Sequence, residues 1–224
     1  MAFSSPSLST NPIPVSTMAA VDQSELAEWR AASPADGASW LAGVSGPWWI
    51  AGGWALDLFG GTQSRRHGDL DIGVLRRDVA QVLGTLSSWE FFEAHKGRLT
   101  RLQTGTLPKA EVNSLWCRPA GTTLWAMELM LDAADDDRWV FRRQPEIQRP
   151  LATVIRWNPE GIPYLSPEIQ LLYKARSRRA KDQADFDHIA PRMDSNARAW
   201  LRHTLLRTDP EHEWLPSLRA QTDD

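Results

Sequence analysis

The 224-residue chain has a single cysteine, Cys117, which excludes an internal disulfide framework and any zinc site built on paired thiolates. It also has no apolar run near the roughly 18 residues that a membrane-crossing helix needs. A basic excess is missing too: 25 Lys and Arg stand against 28 Asp and Glu, a net charge of −3. That balance disfavours a general nucleic-acid binder, which carries a positive stripe, and it does not repel a small cation. His188, His203 and His212 show no metal-ligand spacing. These absences leave a globular protein of a reducing compartment, with a cytoplasmic location as the expectation. What the chain has in plenty is tryptophan, twelve in all. Most of these read as core filling, with a few left to wall a base or a flat substrate.

The most informative stretch is Trp48 to Val74. An apolar strand, Trp48 to Ala51, runs into Gly52-Gly53 and then into a helix-like segment from Trp54 to Phe59. Two glycines at such a turn let backbone approach a ligand closely, and a helix start offers unbonded N–H groups to an anion. Further on, Leu70, Ile72 and Val74 alternate with Asp69, Asp71 and Gly73, the period of a half-buried strand. Both carboxylates then share one face. An ordinary strand avoids that repulsion, whereas a hard divalent cation removes it.

The string Gly52-Gly53-Trp54-Ala55-Leu56-Asp57, followed by Ser64-Arg65-Arg66-His67-Gly68-Asp69-Leu70-Asp71, resembles the nucleotidyltransferase superfamily, and within it the aminoglycoside and lincosamide nucleotidyltransferases. Ser64 replaces the threonine of the family pattern. Gly161 to Glu168 and Lys181 to Phe186 are similar to that branch as well, so the likeness runs from about Trp48 onward. The resemblance implies an α+β fold: a mixed β-sheet flanked by helices, then a helical C-terminal part. It implies transfer of a nucleoside monophosphate, AMP from ATP or the equivalent from another NTP, onto a hydroxyl of a small acceptor such as an antibiotic. One or two Mg²⁺ ions serve as cofactor, and pyrophosphate leaves. Asp69 and Asp71 match the metal-binding pair. Glu128 stands where relatives carry a third acid, usually an aspartate. Gly52 and Gly53 match the phosphate turn, Arg65 and His67 the Arg-x-His element, and Lys174 is a candidate triphosphate contact.

The residues themselves leave alternatives open. Glu128 sits in an otherwise apolar segment, Thr123 to Leu131, where a lone acid is costly unless paired or metal-bound. It reads either as the third carboxylate or as half of a salt bridge to Arg142, and Asp132 on the same face competes with it. Arg65 touches phosphate or pairs with Asp57. Lys174 meets phosphate or lies on a solvated helix face. Lys181, Asp182 and Asp185 read equally well as an ion-pair cluster at a helix start. An RNA or protein acceptor, or a nucleotide-binding relative without catalysis, remains an alternative function.

The organisation expected is a disordered tail over 1–20, a nucleotidyltransferase domain over 21–158 and a helical domain over 159–224. Asp22 with Glu25 forms a capping box for a helix to about Arg30, and Ser33-Pro34 starts a second helix ending near Gly43. Asp78 caps a third, to about Leu86. Strands follow at Trp89 to Ala94, Arg98 to Leu102, Ala110 to Trp116, Thr123 to Leu131, Trp139 to Arg143 and Thr153 to Trp157, with Asp135-Asp136-Asp137 as a hairpin turn. Ile169, Leu172 and Tyr173 make one apolar helical stripe, and Ala197, Trp200, Leu201, Thr204 and Leu205 another. Asp182 and Asp209 are read as caps of two further helices.

Overall fold

A computed structural model describes residues 21–22, 28–177 and 179–219. Its spine is an 11-stranded sheet among the described residues. The path begins with β1 (Val21–Asp22), followed after α1 (Pro34–Trp40) by β2 (Trp48–Ile50), α2 (Gly52–Gly60), β3 (Asp71–Leu75) and α3 (Val79–Thr85). Next come β4 (Trp89–His95), β5 (Arg98–Arg101), β6 (Ser114–Pro119), β7 (Met127–Asp135), β8 (Arg138–Val140) and β9 (Gln148–Pro150). The chain ends through α4 (Leu151–Val154), β10 (Ile155–Trp157), β11 (Pro163–Leu165), α5 (Pro167–Ala175), α6 (Ala180–Ile189) and α7 (Ser195–Thr208). The strand order is β1-β5-β4-β6-β7-β3-β2-β11-β10, with β8 and β9 branching from β7. Two neighbouring pairs, β3 with β7 and β11 with β2, are parallel; the other pairings are antiparallel. This is the expected α+β architecture. β11, beyond residue 158, joins the sheet beside β2, and α5 packs on α2 and α7.

The two faces of β3 have different tasks. Leu70 and Ile72 point to the face covered by α1, where Gly37 lets the helix approach: a Cβ there would stand 3.0 Å from Ile72 and 3.1 Å from Leu70. Ser33 caps that helix by accepting from the Asp36 N–H, while Asp36 accepts from the Ser33 N–H, and Pro34 sits in the first turn. The opposite face carries Asp71 and Gly73. The indole of Trp49 lies across Gly73, so close that a Cβ on Gly73 would fall 2.1 Å from its Nε1.

Several sequence expectations shift. The helix proposed for Asp22 to Arg30 is not formed at its described ends: Asp22 is in β1, and Trp29 bridges Trp125 in parallel, with the Arg30 N–H donating to Trp125 O at 2.7 Å. Residues 23–27, including Glu25, lie outside the described residues, as does the tail proposed for 1–20. Asp78 ends a 3₁₀ turn before α3 and makes no side-chain cap. The strand expected at Ala110 begins at Ser114 and runs to Pro119, and the one expected at Thr123 begins at Met127 and runs to Asp135. Of the span from Thr153 to Trp157, only Ile155 to Trp157 is strand; Thr153 and Val154 close α4. Asp182 lies inside the first turn of α6, whose cap position is Arg179, and Asp209 ends α7 instead of starting a helix. Asp136, with φ of 49°, does form the turn between β7 and β8.

Because Trp49 is fully buried, it has nowhere to retreat from a methyl group at position 73. Gly73→Ala is therefore expected to cost about 1–3 kcal/mol by overpacking, lowering Tm by roughly 2–4 °C per kcal/mol. A thermal melt followed by circular dichroism checks this; an unchanged Tm would mean that the indole moves freely.

Candidate active site

The parallel pairing of β3 with β7 sets Asp71 directly opposite Glu128, and both line one cavity of about 390 Å³. Asp69 also lines it, from the bend just before β3 and not from the strand itself, so the strand starts two residues later than its alternation suggests. Burial pushes the Asp71 carboxyl well above its ordinary range, and the negative charges of Glu128 and Asp69 push it further. Burial raises Glu128 too, opposed by a hydrogen bond that the Ser114 hydroxyl donates and by the charge of Arg142. Thus Glu128 takes Ser114 as its bonded partner, and among the described residues it forms no ion pair with Arg142. Asp132 stands opposite Leu75, four residues along, and accepts from the Tyr173 hydroxyl at 3.1 Å. Register therefore brings Glu128, and not Asp132, beside Asp71.

The glycine turn is shaped by the side chains packed against it. Gly52 has φ of +65°, and a Cβ there would meet Asp71 Oδ2 at 2.0 Å. A Cβ on Gly53 would meet the His67 ring at 2.4 Å and Arg65 Nη2 at 2.6 Å. Gly52 does not offer its N–H to the cavity; it donates to Gln170 Oε1 at 2.7 Å. The first bond back into α2 is made by Ala55 to Ala51, 3.2 Å, so the Gly53 and Trp54 N–H groups make no bond within the helix, and of these two residues Gly53 lines the cavity.

The loop after α2 is fastened at two points. Asp57, buried in α2, accepts from His67 Nε2 and from the Ser64 hydroxyl (2.6 Å) and N–H (3.1 Å). Arg65 does not pair with Asp57. It makes a two-pronged contact with Asp185 of α6, at 3.1 and 3.2 Å. Lys174 is no solvated residue: at 7% exposure its ammonium lies 2.8 Å from Asp185 and 3.3 Å from Asp182. Arg179 holds the other oxygen of Asp182 at 2.7 Å. Both aspartates stay below the usual carboxylate range, because these cations outweigh their burial.

All the residues singled out from sequence, Gly52, Gly53, Arg65, His67, Asp69, Asp71, Glu128 and Lys174, line this one cavity. Sequence reasoning missed Trp49, Gln170 and Arg143 as wall residues, and it counted Tyr173 as core. A signal was present: Gln170, Tyr173, Lys174 and Ser177 recur at i, i+3, i+4 and i+7, a polar stripe on one face of α5 and the residues after it. Among the described residues no three His, Cys, Asp or Glu side chains stand close enough to hold a metal ion on protein ligands alone.

A mixed sheet with acidic residues on adjacent parallel strands beside a glycine turn is the arrangement expected from the motifs of the sequence. The model of the aminoglycoside-2''-adenylyltransferase family matches residues 38–189, more than half of the chain, and the chain belongs to that family. Among solved structures, ANT(2'')-Ia in complex with adenylyl-2''-tobramycin has a TM-score of 0.50 at 14% identity, covering 74% of this chain and 92% of that one, which shows the shared fold. The lincosamide antibiotic adenylyltransferase LnuA, lincomycin-bound, gives 0.47 at 18%, covering 68% and 90%. An antigenic nucleotidyltransferase-like protein from Paracoccidioides brasiliensis gives 0.45 at 18%, covering 89% and 94%. No curated protein sequence gives a significant match.

Burial raises the Asp132 carboxyl from 3.8 to about 6 in the folded chain. At this group the folded state then binds a proton more tightly than the unfolded one, so its contribution to stability falls as pH rises from about 4 through 6. Asp132→Asn, which keeps an oxygen for Tyr173, is expected to stabilise the fold at pH 8 by about 1–3 kcal/mol. The gain should vanish near pH 4. Urea unfolding at the two pH values measures it, and a gain equal at both would contradict this titration.

Proposed function

We propose that the chain transfers AMP from ATP to a hydroxyl of a small molecule, of the kind that antibiotic adenylyltransferases modify, and releases pyrophosphate. The observation that carries this reading is the set of three acids at one end of the cavity, beside a helix start with unbonded N–H groups. Leaving Asp69, Asp71 and Glu128 charged together is unfavourable, as the raised Asp71 shows, and their hard oxygens suit Mg²⁺. With too few protein ligands to enclose an ion, the rest of its shell falls to water and to the phosphates of the substrate. When bound, Mg²⁺ supplies positive charge against that developing on the phosphoryl oxygens and acidifies a nearby hydroxyl.

The protein's own residues then have separate tasks. The Gly53 N–H and the Lys174 ammonium, both in the cavity wall, face the triphosphate. Arg65, locked to Asp185, and His67, locked to Asp57, hold the loop in place against Gly53. Glu128, with its raised proton affinity, accepts the proton of the acceptor hydroxyl. The acceptor oxygen forms a bond to the α-phosphorus as the bond to the bridging oxygen breaks, and pyrophosphate carries away that electron pair. Family membership and the intact acids speak against a relative that binds nucleotide without catalysis. The net charge of −3 speaks against an RNA acceptor.

The test uses α-labelled ATP, Mg²⁺ and a panel including tobramycin and lincomycin. Label is expected to move to an acceptor. Asp69→Asn or Asp71→Asn is expected to lower the rate by at least about 10²–10³-fold, with Tm preserved. Full activity in both folded variants would refute the assignment.

A further inference from the structure

At the glycine turn one donor is withdrawn from the cavity. The Gly52 N–H goes to Gln170 Oε1 of α5, 2.7 Å away. A backbone N–H bonds only to an acceptor, so this contact fixes which end of the Gln170 amide is oxygen. The other end, Nε2, therefore carries two N–H donors. Among the described residues Nε2 donates to no protein group, and it is not one of the fully buried polar atoms left without a partner. Gln170 is buried in the wall of the cavity, so the space that Nε2 reaches is the cavity itself.

This group suits an incoming oxyanion. It is preorganised, because its tip is held by Gly52 and its backbone by the first turn of α5, where the Gln170 N–H bonds to Ser166 O at 3.0 Å and the Ser166 hydroxyl donates to Val154 O at 2.7 Å. Accepting from Gly52 also polarises the amide, which strengthens its own donors. The amide is neutral as well. Asp71 stands directly over Gly52, its Oδ2 2.0 Å from the place of a Gly52 Cβ, so Gln170 works beside the acids. A cation there would be drawn into an ion pair, as Lys174 is by Asp182 and Asp185. A carboxylate would add negative charge where burial, Glu128 and Asp69 already raise Asp71. An amide does neither and stays available.

We propose that Gln170 contacts the nucleotide directly, donating from Nε2 to a phosphate oxygen beside Asp71. It thereby returns to the cavity the donor that Gly52 gives up. The role rests on the adenylyl-transfer reading above and adds a residue to it. A Gln170 that merely supports Gly52 would need only its oxygen, which a glutamate supplies equally well. The two roles part at the Nε2 end.

Calorimetric titration with α,β-methylene ATP and Mg²⁺ compares the parent with Gln170→Glu and Gln170→Met. The glutamate keeps an acceptor for Gly52 and loses both donors; the methionine loses both ends without adding charge. Each variant is expected to bind the analogue about tenfold or more weakly than the parent. Loss in Gln170→Met alone would make Gln170 a support for Gly52, and loss in Gln170→Glu alone would be charge repulsion. Either result overturns the proposal, as does no loss in both. A second measurement uses the parent and stands even if a variant fails to fold. In isotope-labelled protein the side-chain NH₂ signals of Gln170, identified by their absence from the spectrum of a variant, are expected to move downfield when the analogue binds. If the analogue binds and these signals stay in place, the Gln170 contact alone is wrong. If the parent binds no analogue, the transfer reading falls and this contact falls with it.

Discussion

Two carboxylates facing each other across parallel strands are the constraint around which this molecule is arranged. Asp71 and Glu128 are brought together by the β3–β7 register, with Asp69 one bend away. Pairing of these strands is driven by the opposite face, where Ile72, Val74, Leu129 and Leu131 are buried. The apolar layer thus stabilises the sheet and holds like charges at a separation that they would not choose. The energy comes from the core; the tension is at the cavity. A buried acid kept from ionising freely has a use where a cation or a proton is to be received.

A second set of interactions ties the C-terminal helices to this centre. Asp185 of α6 grips Arg65 from the loop after α2 and Lys174 from α5, while Asp182 joins Lys174 to Arg179. Such buried pairs add little net stability against an apolar alternative, but removal of one partner strands the other. Their effect is geometric. They fix α5, whose Gln170 takes the Gly52 N–H, so the helical part sets the shape of the glycine turn from behind.

Much of this was legible in the chain. The alternation from Asp69 to Val74 located β3, although the strand starts only at Asp71 and is buried on both faces from Ile72 to Leu75. Gly52 and Gly53 were marked as a close-approach turn, and the structure gives the cause: Asp71, His67 and Arg65 occupy the places of their missing Cβ atoms. Less legible was where pairing begins. Thr123 to Leu131 reads as one apolar run broken by Glu128, yet Trp125 bridges Trp29, and β7 continues through Asp132 to Asp135, because β8 supplies a partner there. The destination of the buried ions was hidden as well. Asp57 lies near Arg65 in sequence, but the rigid fork of Arg65 finds Asp185, 120 residues away, and leaves Asp57 to His67. Local spacing does not encode such choices; helix packing makes them.

The central claim is that the acids at the head of β3 and β7 form a place for a divalent ion. It is tested most directly by titrating Mn²⁺ into the protein with α,β-methylene ATP and following the free ion by electron paramagnetic resonance. The expected result is saturable binding by the parent chain that is lost in Asp71→Asn and weakened in Glu128→Gln, with both variants folded. Binding in Asp71→Asn as tight as in the parent would contradict the account.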